Sequence, residues 1–195
     1  MDHGDPQRLE PLRGRRVLLG VGGGIAAFKL AGLASTLVQA GTETTVAMSE
    51  AATRFVTPLT FESITGRAVY TDIWDPIDRA DPQHVRLVRE IDLMLIAPCT
   101  MDLLGRLASG LAGDPLTLLA AVVDRDRQPT LLAPSMNEVM WRQPATRRNL
   151  EQLRRDGFVV IEPAEGWHAC RTGGPGRLPE PEALVDAILT HLPAR

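Results

Sequence analysis

The sequence predicts an α/β domain built on a doubly wound parallel sheet. Three observations carry that reading: short, largely apolar runs recur along the chain, helical patterns separate them, and three consecutive glycines join the first run to the first helix. Strands covered on both faces read as continuous apolar runs, and runs alternating with helices are the pattern of βαβ units.

Taken in order, residues 1–14 open the chain with Asp, Pro and Gly and no periodicity, and are expected to form a flexible leader; residues 15–195 are expected to form a single domain. Val17-Leu18-Leu19-Gly20 is the first strand, Gly22-Gly23-Gly24 the turn, and Ile25 to Gln39 a helix with apolar residues at helical spacing that stops at Gly41. Thr44 to Met48 reads as the second strand, and Leu93 to Ala97, Thr130 to Ala133 and Phe158 to Ile161 as later ones. The intervening helices are expected over Leu103 to Ser109, Leu116 to Val123, Ala145 to Asp156 and, at the end, Glu180 to Thr190. Thr71 to Gln83 is crowded with Asp and Pro and reads as a loop or flap; Pro163 to Pro181, rich in glycine, reads as a second irregular segment. Long loops in a compact domain are usually functional or disordered, and these two are placed to close over the carboxyl edge of the sheet.

Composition narrows the function. A chain of 195 residues with 44% hydrophobic content is large enough for one sizeable core. A net charge of −3 with scattered arginines argues against a nucleic-acid surface. Two cysteines make no disulfide framework, and no apolar N-terminal segment resembles a signal peptide or membrane span, so a cytoplasmic protein with no membrane role is expected. Four His and two Cys without ligand spacing give no support for a metal, and no Gly-x-Ser-x-Gly elbow supports a serine hydrolase.

The most informative stretch is Pro134-Ser135-Met136-Asn137-Glu138-Val139-Met140-Trp141, directly after a buried strand. Ligands of open α/β sheets sit at the carboxyl ends of strands, and an asparagine there both donates and accepts hydrogen bonds, as a substrate carboxylate or carbonyl requires. The Met and Trp residues read equally as packing. The glycine turn has two readings as well: free N–H groups that cradle a phosphate at a helix start, or a tight turn needed for close strand–helix packing. As a dinucleotide fingerprint it lacks the acidic residue at the second strand end, where Ser49 stands. His84 opens an amphipathic stretch; Cys170 lies beside Arg171 in the glycine-rich loop, surroundings that favour a reactive thiolate. Cys99 follows a strand and reads as packed.

These residues, in this order, resemble the flavin-dependent cysteine decarboxylases. The resemblance rests on the glycine turn with Ile25-Ala26-Ala27-Phe28-Lys29, His84, Ala97-Pro98-Cys99-Thr100-Met101-Asp102, the Pro134 to Trp141 string, and Ala169-Cys170 with Gly174-Pro175-Gly176-Arg177, and covers about Arg15 to Ile188. It implies a Rossmann-like, flavodoxin-type three-layer fold that binds FMN, with sites shared between subunits of a homotrimer or of a dodecamer built from trimers. Within the family the chain is most similar to the branch acting on 4'-phosphopantothenoylcysteine in coenzyme A biosynthesis. There the cysteine is oxidised to a thioaldehyde, CO2 leaves to give an enethiol, and the electrons return to yield 4'-phosphopantetheine.

By the same resemblance, His84 handles protons around the substrate thiol, a role suited to an imidazole. Asn137 binds the substrate carboxylate, with Met136, Met140 and Ala169 beside it, and Cys170 protonates the enethiol. Gly22, Gly23, Gly24, Ile25, Ser49, Cys99, Thr100 and Asp102 contact FMN. The family pattern more often has a small residue and Asn where this chain has Cys99 and Asp102. Two other activities fit the same motifs: oxidative decarboxylation of a peptidyl cysteine, which stops at the enethiol and does not need the reductive half that Cys170 serves, and a non-catalytic flavin-binding paralogue. Because the chain ends soon after its last helix, it is expected to act without a fused synthetase domain.

Overall fold

The computed structural model describes residues 6–74, 82–167 and 173–194. Its main sheet has five parallel strands: β1 (Arg16–Val21), β2 (Glu43–Met48), β3 (Leu93–Cys99), β4 (Thr130–Pro134) and β5 (Val159–Val160), in the order β2-β1-β3-β4-β5. Register is continuous from Arg16 opposite Glu43 to Val21 opposite Met48, and from Val17 opposite Leu93 to Gly20 opposite Ile96. This is the flavodoxin-type order that the resemblance implies, and it is the doubly wound parallel sheet expected from the apolar runs.

The helices are α1 (Pro6–Leu9), α2 (Lys29–Gln39), α3 (Pro58–Thr65), α4 (Gln83–Arg89), α5 (Met101–Ala108), α6 (Pro115–Val122), α7 (Glu138–Arg142), α8 (Pro144–Arg155) and α9 (Pro181–His191). Strand periodicity sorts the core into two layers. Val17, Leu19 and Val21 of β1 pack with Leu33 and Leu37 of α2, Phe61 of α3 and Leu184 and Ile188 of α9. Leu18 of β1, Met94 and Ile96 of β3 and Leu132 of β4 face the other way, onto Leu104 of α5, Leu119 of α6 and Leu150 of α8. Every residue of β3 and β4 is buried. Those strands carry the ends that build the site.

Four segments depart from the expected organisation. The opening residues are not loose from Pro6 onward: α1 and a 3-10 turn, Glu10–Leu12, bring Leu12 to 0% exposure in the first core layer. Two leucines in an otherwise polar stretch carry too little periodicity to show this. Helix α3 was not expected; its span has one fully buried side chain, Phe61, and several Thr and Ser, but Pro58 at its start and Gly66 at its left-handed end (φ +65) mark both boundaries. Helix α4 begins at Gln83, inside the expected flap, whose residues 75–81 lie outside the described ones. The irregular segment after Pro163 contains an antiparallel hairpin, β6 (Ala164–Trp167) with β7 (Gly173–Arg177). Its glycines at positive φ, Gly166, Gly174 and Gly176, hide a strand from any propensity reading.

Leu12→Ala should cost about 2–5 kcal/mol, the range for truncating a fully buried leucine, measured by urea denaturation. Unchanged stability would return residues 6–12 to the status of a leader.

Candidate functional site

In this strand order β2 lies on one side of β1 and β3 on the other, so the switch-point crevice that doubly wound sheets use for ligands lies beyond the carboxyl ends of β1 and β3. The glycine turn stands on one side of it. A Cβ on Gly22 would lie 2.0 Å from the Pro98 carbonyl oxygen at the end of β3, and one on Gly23 would lie 2.3 Å from Cβ of Ala51 in the turn after β2. Close packing of three strand ends therefore explains Gly22 and Gly23. Gly24 is different: its nearest neighbours would be Pro98 Cγ at 3.6 Å and Thr100 Cγ2 at 3.7 Å, ordinary contacts.

The same turn also leaves donors over. Gly24 N–H is used on Gly22 O (3.1 Å) and Gly24 O accepts from Ala27 N–H (2.9 Å), whereas the N–H groups of Gly23, Ile25 and Ala26 have no hydrogen-bond partner among the described residues. These three donors lie in one short segment in which Gly23 is half-exposed and Ile25 58% exposed. The packing reading of the glycines applies to Gly22 and Gly23.

Across the crevice, Thr100 caps α5, its Oγ1 accepting from Leu103 N–H at 3.3 Å. Ser49 closes the β2 side: its Oγ accepts from Ala52 N–H (3.2 Å) and its own N–H donates to Val21 O (3.1 Å), tying the second strand end to the first. Cys99 does not face the crevice. Its side chain is fully buried in the second core layer, burial pushes its thiol well above the ordinary range, and its carbonyl accepts from Ser135 N–H at 3.1 Å. Asp102 is exposed on α5 and paired with Arg106 at 2.7 Å, which pulls its carboxylate along the helix surface.

At the end of β4, Asn137 caps α7, its Oδ1 accepting from Val139 N–H at 2.8 Å. The amide oxygen is thereby committed to the helix start. Met136 is buried, as is Trp141, which carries the Arg147 guanidinium 4.7 Å from its ring centroid; Met140 and Val139 are exposed. The packing reading of this string holds for Met136 and Trp141. His84 is half-buried on the first turn of α4. Ala169 and Cys170 lie outside the described residues.

Two residues that the sequence offered only inside longer motifs, without a role of their own, reach this edge: Lys29 holds the segment just after β7, and Glu138 meets the hairpin itself. Lys29, at the start of α2 and 12% exposed, donates to Leu178 O (3.3 Å) and pairs with Glu180 (3.0 Å). The Lys29 hydrogen bond, assisted by Arg177, holds the Glu180 carboxyl below the usual carboxylate range. Glu138, immediately after Asn137, lies against Gly174 of β7 and pairs with Arg142. Among the described residues no group of three His, Cys, Asp or Glu could hold a metal ion, and no helix is long and apolar enough to cross a membrane.

A doubly wound sheet with a glycine turn at its switch point is a frame on which nucleotides and flavins are bound, and residues 7–192 match the model of the flavoprotein family. The chain belongs to that family. It is 42% identical over 177 residues to the coenzyme A biosynthesis bifunctional protein CoaBC of Vibrio cholerae and 44% identical over 182 residues to that of Bacillus subtilis, which cover 91% and 92% of the chain. In both cases it spans 44% of the relative's length. Among solved structures it is similar to a PPC decarboxylase mutant complexed with pantothenoylaminoethenethiol (TM-score 0.80, 28% identity, covering 91% of this chain and 98% of that one). It is also similar to the FMN-dependent cysteine decarboxylase SpaF (TM-score 0.78, 31% identity, covering 92% and 97%).

Gly22→Ala should lower both Tm and flavin absorbance per chain, since its methyl group meets backbone, while Gly24→Ala should keep the wild-type Tm; equal losses in the two would contradict the assignment of close packing to one and ordinary contact to the other. The Lys29–Glu180 contact carries a pH signature. Because the folded carboxyl is held low, its contribution is present above the ordinary carboxylate range and disappears as pH falls through the lowered value. Lys29→Met should therefore be less stable than wild type at neutral pH, with the gap closing in acid; a pH-independent gap would assign Lys29 to packing alone.

Proposed function

We propose that this chain binds FMN in the β1/β3 crevice and decarboxylates 4'-phosphopantothenoylcysteine to 4'-phosphopantetheine, a step of coenzyme A biosynthesis. The observation that carries this reading is the likeness to a PPC decarboxylase over 98% of that chain, alongside 42–44% identity to proteins named for coenzyme A biosynthesis. The N–H groups of Gly23, Ile25 and Ala26, which have no partner among the described residues, support this placement as donors to a phosphate. Gly22, Gly23, Gly24, Ile25, Ser49, Thr100 and Asp102 form its surroundings, with Cys99 supporting them from the core.

FMN supplies a two-electron acceptor and donor, chemistry that no side chain provides. The protein's part is to hold, orient and move protons. Asn137 holds the substrate carboxylate through its NH2 group; a neutral amide orients the group without the ion pairing that would stabilise it against leaving as CO2. Met136, Met140 and Ala169 line the cysteine end. His84 takes the thiol proton as the side chain is oxidised, and Cys170 delivers a proton to the enethiol as the electrons return. The net change is redox-neutral: the carbon–carboxylate bond breaks, CO2 leaves, and a proton takes its place. We extend the proposal to a homotrimer or a dodecamer of trimers with sites between subunits, acting in the cytoplasm.

Anaerobic incubation with 4'-phosphopantothenoylcysteine, following the flavin spectrum and product mass together, tests the reading. It predicts 4'-phosphopantetheine and flavin returned to its oxidised form. An enethiol product with reduced flavin would assign the chain to oxidative decarboxylation of a peptidyl cysteine, and bound flavin without turnover would make it a non-catalytic paralogue. His84→Asn should keep its flavin and leave it oxidised when substrate is added; flavin reduction at the wild-type rate would remove His84 from the oxidation step. Cys170→Ser should accumulate an enethiol two mass units lighter than the normal product, and unimpaired 4'-phosphopantetheine formation would refute its role.

A further inference from the structure

The two residues that flank Asn137 are both fastened to β7. On one side, Met136 N–H donates to Gly176 O at 3.0 Å. On the other, the Glu138 carboxylate lies over Gly174: a Cβ there would stand 2.8 Å from its Cδ, 2.9 Å from Oε2 and 3.2 Å from Oε1. Gly174 pairs with Gly166 within the hairpin, Gly176 is the extra residue where the register shifts between Pro175 and Arg177, and Asn137 is straddled between the two ties. Gly174 holds φ +146, which L side chains rarely adopt, so the carboxylate packs on a backbone that only glycine supplies there.

A surface ion pair alone does not account for this. Glu138 and Arg142 are paired four residues apart on α7, but the Glu138 side chain is 26% exposed against 68% for Arg142. The arginine is the solvated partner, and the glutamate is held in by the hairpin. At the first position of α7 its charge also suits the helix start, so that helix end and hairpin are served by one side chain.

We propose that Glu138 is a positioning residue: by bracing Gly174 it sets the hairpin against the Asn137 end of α7, and so fixes the geometry in which a substrate carboxylate is held. The proposal rests on the decarboxylase reading for its substrate and on the hairpin contacts for its mechanics. Removing the brace loosens β7 without touching the glycine turn, so substrate binding suffers and the flavin does not.

The test compares E138A, E138Q and wild type in two measurements on the flavin-containing protein. In steady-state assays with 4'-phosphopantothenoylcysteine, E138A should raise KM about tenfold with kcat changed less than about twofold, the pattern of lost binding geometry. E138Q, which keeps the shape and an acceptor oxygen, should restore KM to within about twofold of wild type. In hydrogen exchange followed by mass spectrometry, the β7 amides of E138A should exchange faster than wild type while flavin absorbance per chain stays the same. Unchanged exchange in E138A, an unchanged KM, or an E138Q variant as impaired as E138A would each overturn the proposal. The exchange measurement needs no substrate, so a wild-type protein that fails to turn over would refute the decarboxylase reading while the brace is still decided.

Discussion

The rest of the molecule depends on the close approach of the end of β1 to the end of β3, where Gly22 meets the Pro98 carbonyl with no room for a methyl group. The turn after β1 can pass the end of β3 here because Gly22 carries no side chain, and it can meet Ala51 because Gly23 carries none. Three strand ends converge in this way, and the turn Ile25–Phe28 follows directly, with the N–H groups of Gly23, Ile25 and Ala26 left without a partner among the described residues. Ser49 and Thr100, from the neighbouring strand ends, cap the elements beside it. The convergence is a matter of packing, and the flavin site proposed for it follows from the donors it leaves over.

The substrate side is built differently. Asn137 belongs to a helix too short to hold its own geometry, and its surroundings come from the hairpin β6–β7, which is tied back by a backbone hydrogen bond at Met136 and a carboxylate at Glu138, while an ammonium at Lys29 holds the segment just after β7. These ties span the edge from the start of α2 to the start of α7. The cofactor side rests on the sheet itself, and the substrate side on contacts made by the hairpin.

How far the sequence reveals this follows from the period and length of each signal. Buried strands leave apolar runs, and Leu93 to Ala97 and Thr130 to Ala133 are legible because every residue is covered. Helix α3 is not, since one buried phenylalanine makes no stripe, although Pro58 and Gly66 bracket it. The hairpin is hidden because its glycine content, needed at positive φ, reads as irregular chain. The site shows the same division. Asn137 stands out by its place after a strand, whereas Glu138 and Lys29 act through tertiary contacts that no local pattern records, and Cys99 occupies the core because the end of β3 is buried on both faces.

The central claim, that the strand-end convergence creates the flavin site, is tested most directly by an experimental structure of the flavin-loaded protein. The account predicts the flavin phosphate within hydrogen-bonding distance of the N–H groups of Gly23, Ile25 or Ala26, with the ring system in the crevice between the ends of β1 and β3. A flavin bound away from that crevice, with those three N–H groups hydrated, would contradict it.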